Sequence, residues 1–169
     1  WIAALATPAS FEFAGRAGHG VMAIPLAGGA MNDLLAAYRE AWKSAGHPGQ
    51  GRVMLAFHML CHESHEAAVA IAHDPLNRYL KSLVAAAGAW LEGTASDDYP
   101  GYDKIIRMLD NETFESQTEK GAAWVGTPKE VCQQVRDYDD QVGGFEIASL
   151  QVSFNTISRA DAEASMRLF

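Results

Sequence analysis

The apolar positions of the chain fall into two kinds of run. Four short segments, Trp1–Ala6, Val21–Leu26, Val53–Leu60 and Phe145–Phe154, are apolar almost throughout. Strands covered on both faces read this way, as in a parallel sheet with helices packed outside it. Between them, apolar residues recur at helical spacing. Pro8–Gly18 carries Phe11, Ala14 and Ala17 on one face, and Met31–Ala45 carries Leu34, Leu35, Tyr38 and Trp42 before stopping at Gly46. Pro128–Val142 carries Val131, Val135, Tyr138 and Val142, and a last helix begins at Ser158 with Ala162, Ser165, Met166 and Phe169 along one side. Repeated strand–helix alternation predicts an α/β fold with a parallel sheet.

One connection breaks the rhythm. Between the third strand and Pro128, Ser64–Leu91 and Tyr102–Phe114 read as helical and Gly93–Gly101 as loop. A long insertion of this kind is expected to lie over the active face of a barrel or to form a lid. The expected organisation is therefore one domain over residues 1–169, with a helical insertion or lid over residues 61–124.

Composition narrows the function classes. The 169 residues carry a net charge of −8, with a sequence pI near 5.1, which argues against nucleic acid and anionic membrane surfaces as partners. No apolar run reaches the roughly 18–20 residues of a membrane span. Cys61 and Cys132 form no CxxC pair, which fits a reducing cytoplasm rather than a disulfide framework. Trp1–Ala6 already reads as a buried strand and the last helix stops uncapped at Phe169, so both ends are expected to be cut from a longer polypeptide.

Two helix starts have chemistry of interest. In Thr7-Pro8-Ala9-Ser10, Thr7 suits an N-cap and Pro8 the first helical position, with Ser10 in the first turn. A helix start after a parallel strand offers free backbone N–H groups and the positive end of the helix dipole to an anion. On the tetrapeptide alone, a cap without a ligand is the simpler reading. In Gly126-Thr127-Pro128-Lys129-Glu130, Thr127 and Glu130 have capping-box spacing, and capping explains them sufficiently.

Three segments together resemble one family. Trp1–Gly18 looks like the fifth strand and helix of luciferase-like monooxygenases. Val125-Gly126-Thr127-Pro128-Lys129-Glu130-Val131 looks like the family's G-T-P-x-E-V helix start before the last strand, and Ala162–Phe169 is similar to its final helix. The resemblance implies the C-terminal half, strands 5–8, of a (β/α)8 TIM-type barrel with a long helical insertion after the third strand of this chain. It implies a flavin-dependent monooxygenase, or a fragment of one, using reduced FMN and oxygen on a small organic substrate. A flavin reductase would supply the reduced flavin. F420-dependent hydride transfer on the same fold is the first alternative. A non-catalytic half-barrel that assembles with itself or with the missing half is the second. Matching the helix through its glycine places phosphate-binding hydroxyls at Thr7 and Ser10, with Phe11 beside them. Ala6 stands where bacterial luciferase has an acidic residue.

On such a barrel, strand periodicity selects further residues. Val53, Leu55, Phe57 and Met59 should pack under helices, while Met54, Ala56, His58 and Leu60 point inward. His58 then lies near the C-terminal end of its strand, where barrel enzymes place catalytic groups, as a hydrogen-bonding group or proton shuttle. A hydrogen-bonded core histidine is the competing reading. Gln151 and Ser153 occupy similar positions on the last strand and need partners, either a flavin or a neighbouring loop. Gly28-Gly29 follows the second strand, where glycine permits close backbone approach to a cofactor as well as a turn. Cys61-His62-Glu63-Ser64-His65-Glu66 lacks zincin spacing, and a solvated helix start is expected there instead of a metal.

Overall fold

The computed structural model describes residues 1–26, 30–93 and 102–169, with side chains for all of these except 89–93 and 102–105. Its sheet is wholly parallel. β1 (Ile2–Ala3), β2 (Val21–Ala23) and β3 (Val53–Cys61) lie side by side. Met54 and Leu55 register with β2 and also with β5 (Ile147–Gln151), so β2 and β5 flank β3 on opposite edges. The last residues of β3, His58–Cys61, pair with a short extra strand, β4 (Ala123–Gly126). The α/β expectation with a parallel sheet is met.

The helices follow the strands. α1 (Pro8–Arg16) follows β1, α2 (Ala30–Ser44) follows β2, α6 (Pro128–Val142) follows β4 and α7 (Arg159–Leu168) follows β5. Between β3 and β4 come α3 (His65–Gly93), α4 (Tyr102–Asp110) and α5 (Phe114–Glu119). The two expected helices of this stretch are present. β4 and α5 were not foreseen, and most of the loop expected over Gly93–Gly101 lies outside the described residues, as does Gly28-Gly29.

The local chemistry of the ends explains the boundaries. Thr127 and Glu130 form the expected reciprocal capping box, and Gly143 ends α6 in the left-handed region at φ 71°, a conformation glycine adopts without a Cβ penalty. Ser158 caps α7 by accepting from the Asp161 N–H. Thr113 and Ser116 form a second capping box at the start of α5.

Two apolar clusters hold the layers. In the first, Val53, Leu55, Phe57 and Met59 of β3 pack with Phe11 and Ala14 of α1, Leu35 and Tyr38 of α2, and Val131 and Tyr138 of α6. This is the helix-facing set the periodicity predicts. Trp124 of β4 joins it, stacked on Phe57 with ring centroids 3.8 Å apart and planes 17° from parallel. The second cluster sets Leu60 and Val125 against Ala68, Ala72, Leu76 and Leu80 of α3, with Phe154 and Ala162 from the C-terminal segment.

Candidate functional site

Register turns the sheet's other face into layers. Ala3 pairs with Met22, Met22 with Met54, and Met54 with Ile147, one residue from each strand in a single row. Partners in a parallel pair share a face, so this row lies on the side away from the first cluster. None of its four members is buried, and Ile147 is 38% exposed. The next row on the same face pairs Ala56 with Ser149, and the third pairs His58 with Gln151. The concave floor is a hollow of about 370 Å³ bounded by Ala3, Leu5, Met22, Ile24, Met54 and Ala56. Alanine and unbranched methionine side chains across its middle, Ala3, Met22, Met54 and Ala56, leave room for a flat ligand.

His58 lies two residues beyond Ala56 on the same face of β3. It is 1% exposed, with the ring of Tyr79 from α3 4.3 Å away and that of Phe154 5.1 Å away, both edge-on. Its Nε2 has no hydrogen-bond partner. Burial lowers the imidazole pKa to about 4, because desolvation disfavours the cation. The ring is neutral at physiological pH and holds one unused polar atom in an apolar setting. The hydrogen bond that the core-histidine reading requires is not made at Nε2. Gln151, its register partner, is half-buried.

The turn after β1 holds Thr7 at the N-cap of α1, with φ −93° and ψ 112°. Its side chain makes no capping bond, and Pro8 follows at the first helical position. The Ser10 N–H donates to the Thr7 carbonyl at 3.0 Å, and Ser10 is half-buried while Thr7 is exposed. Phe11, one residue on, is wholly buried in the first cluster. The Thr7 hydroxyl thus lies open to solvent at a helix start, unlike that of Thr127, which accepts from the Glu130 N–H. His58 and Gln151 are brought together on β3 and β5, and Thr7 and Ser10 follow β1. The first pair lies in the C-terminal halves of its strands and the second beyond the C-terminal end of β1.

The run from Cys61 to Glu66 closes β3 and opens α3. His62 Nδ1 accepts from the Ser64 N–H, the Cys61 N–H donates to Ser165 Oγ, and His65 Nδ1 lies 3.2 Å from Glu130 Oε2. Among the described residues no three His, Cys, Asp or Glu side chains are gathered for a metal.

Two residues at this end were not anticipated. Tyr79 sits in a long apolar helix, where nothing distinguishes it from a core aromatic. Gln117, with no exposure at all, donates from Nε2 to the Leu26 carbonyl at 3.1 Å and to Glu112 Oε2 at 2.7 Å. It thereby ties α5 to the segment leaving β2. Glu112 also accepts from Lys120 and Ser116, and these bonds hold its carboxyl below the usual range although burial opposes them.

The model of the luciferase-like monooxygenase family matches residues 1–143. The chain belongs to that family. Solved structures agree. The monooxygenase RslO1 from Streptomyces bottropensis is 26% identical with a TM-score of 0.68, over 99% of this chain and 44% of that one. The oxygenating constituent of 3,6-diketocamphane monooxygenase from the CAM plasmid of Pseudomonas putida, solved with FMN, is 18% identical with a TM-score of 0.70, over 98% and 45%. A riboflavin lyase, RcaE, solved with modified FMN and riboflavin, is 16% identical with a TM-score of 0.57, over 98% and 41%. The last two show the fold alone. The chain spans less than half the length of each of these relatives. A search of curated proteins gives no match.

Proposed function

We propose that the chain is the C-terminal half of a (β/α)8 barrel in a flavin-dependent monooxygenase, with FMN as the cofactor and its phosphate at the turn after β1. The observation that carries this reading is the Thr7 hydroxyl, which is exposed at the N-cap of α1 and makes no bond to the helix. A phosphate there meets the Thr7 and Ser10 hydroxyls and the positive end of α1. Phe11 contributes only through its backbone, since its ring is in the core. The floor of Ala3, Met22, Met54 and Ala56 suits the flat face of an aromatic ring system, and Gly28 lies outside the described residues.

The cofactor, when bound and reduced, supplies the activation of oxygen for transfer to a substrate; the protein supplies orientation and a dry setting. His58 presents neutral imidazole Nε2 for hydrogen bonding or for moving a proton at that atom. Gln151 adds a neutral donor and acceptor beside it. The helices between β3 and β4 act as a lid, with α3 and α5 closing over this end of the sheet and excluding water. The half-exposed row Ala3–Met22–Met54–Ile147 supports the half-barrel reading, because an apolar inner face requires cover from further barrel strands or from a second copy. A small organic substrate, a flavin reductase and a cytoplasmic setting belong to the same proposal.

The test is titration with FMN and, separately, riboflavin, using the longest available form of the protein. FMN should bind tighter than riboflavin, and Thr7→Ala with Ser10→Ala should remove that difference. Equal binding of the two flavins by the unmutated protein overturns the phosphate assignment. Binding of F420 in place of FMN, with no oxygen uptake, replaces the monooxygenase by the hydride-transfer alternative.

A further inference from the structure

A second hollow adjoins the floor. It measures about 100 Å³ and lies between the ends of β1 and β2 on one side and α3 and α4 on the other. Leu5 and Ile24 belong to both hollows, so the two meet at these side chains. Leu83 and Ala87 of α3 and Leu109 of α4 form its far wall, and among the described lining residues Tyr79 supplies the one hydroxyl. Every other described lining residue is aliphatic.

We propose that this hollow takes the hydrocarbon end of an uncharged substrate, which enters from the floor past Leu5 and Ile24. The inference rests on the flavin reading for its chemistry but not for its binding. A cavity of about 150 Å³ lined by aliphatic and aromatic groups stays dry and accepts benzene. A somewhat smaller one accepts a short alkyl chain or the edge of an alicyclic ring.

Charge decides the substrate class. A carboxylate or ammonium transferred into such a site without a partner is heavily penalised. Burial alone raises the Tyr79 phenol pKa and burial alone lowers that of His58. Among the described lining residues none is charged, so none of them is at hand to pair with an ionic substrate. A single carbonyl or hydroxyl is the polar function this setting tolerates, because the Tyr79 hydroxyl and His58 Nε2 are neutral hydrogen-bonding groups.

The probes are 1-hexanol, hexanoate and hexylammonium, three molecules of nearly one shape and different charge. Binding is followed by calorimetry or ligand-detected NMR on the longest available form of the protein, with and without FMN. Hexanol should bind at least tenfold tighter than either ion. Ala87→Phe fills the hollow and should weaken hexanol at least tenfold while FMN binding stays within twofold. Leu83→Ala enlarges it and should shift the best alcohol to a longer chain. Should Ala87→Phe fail to fold, Ala87→Leu gives the same readout with less added volume. Equal binding of hexanol and hexanoate, or hexanol binding unchanged by both the Ala87 and Leu83 variants, overturns the proposal. FMN binding without hexanol binding rejects this inference and leaves the flavin reading standing. Hexanol binding without FMN does the reverse.

Discussion

The imidazole of His58 and the phenol of Tyr79 meet edge to face, with ring centroids 4.3 Å apart and planes inclined by 64°. One comes from the end of β3 and the other from α3, so the contact joins the sheet to the helices that follow it. Edge-to-face pairs of this kind contribute about 0.5–1.5 kcal/mol beyond area burial. The same enclosure leaves His58 Nε2 without a partner. A fold selected for stability alone would place leucine here. An unpaired buried donor or acceptor costs about 1–3 kcal/mol, and such costs concentrate at functional positions.

His58 therefore gives a signed pH dependence. Its pKa in the fold is about 4 against an ordinary 6.5. Between these values the unfolded chain binds more protons than the folded one, so stability rises with pH across that window. The contribution is complete above pH 6.5 and is lost as pH falls through 4, on the order of 3 kcal/mol in all. Urea unfolding at pH 7, 5.5 and 4 should show this loss in the parent chain and a much smaller one in His58→Leu. At pH 7 the variant should be no less stable than the parent. If the two proteins lose stability in parallel as the pH falls, the buried-histidine account is wrong.

Thr7 and Thr127 occupy equivalent positions before a proline-started helix but differ in what their hydroxyls do. Thr127 accepts from Glu130 N–H, and Glu130 Oε2 accepts from both the N–H and the hydroxyl of Thr127. Thr127→Ala should lower stability by about 1 kcal/mol, the usual cost of a lost cap. Thr7 makes no such bond, so Thr7→Ala should cost less than about 0.5 kcal/mol. FMN affinity should respond in the opposite order, falling with Thr7→Ala and holding with Thr127→Ala. Denaturation midpoints and flavin titrations on the same two variants check both halves.

Glu130 supplies a second pH effect with the opposite partner chemistry. The Thr127 backbone N–H and hydroxyl, with His65 beside them, hold its carboxyl below the usual carboxylate range. The stabilisation is present above the ordinary carboxylate pKa and is lost as pH falls through the lowered one. Glu130→Gln should therefore remove part of the acid sensitivity that remains in His58→Leu. A double variant no flatter in its pH profile than His58→Leu alone counts against the capping carboxylate as the source.

What was legible in the sequence follows from which forces act locally. Period-two alternation separated Val53, Leu55, Phe57 and Met59 from Met54, Ala56 and His58, and the first cluster and the floor divide along that line. Capping chemistry placed the start of α6 at Pro128 and that of α7 after Ser158. The short elements escaped. β4 has four residues, too few for a period, and its tryptophan is held by stacking on Phe57, a contact with no local signature. α5 begins at a capping box of Thr113 and Ser116, in which serine replaces the usual acidic or amide residue. Tyr79 and Gln117 acquire their places from tertiary contacts with β3 and the end of β2. Thr7 reads as a cap by its residue type, and only the structure shows that its side chain is not used as one.

Gly15 offers the sharpest test of how α1 is seated. It lies in the last turn of α1, where helix propensity still favours alanine over glycine by up to about 1 kcal/mol, so propensity alone makes Gly15→Ala a stabilising change. The packing says otherwise. A Cβ at this position would fall on the Tyr38 carbonyl oxygen of α2 and would stand 2.9 Å from the Ala41 Cβ and the Trp42 nitrogen. Two of these three are backbone atoms inside a helix and cannot swing aside. α1 would have to lift from α2, disturbing Phe11 and Ala14, which are fully buried between them and the sheet. Overpacking of this kind costs about 1–3 kcal/mol, enough to outweigh the gain in propensity. Gly15→Ala should lower the urea midpoint, and because Thr7 and Ser10 ride on the same helix it should weaken FMN at least as much as Thr7→Ala does. A rise in stability would show that α1 does not lie this close to α2 in solution.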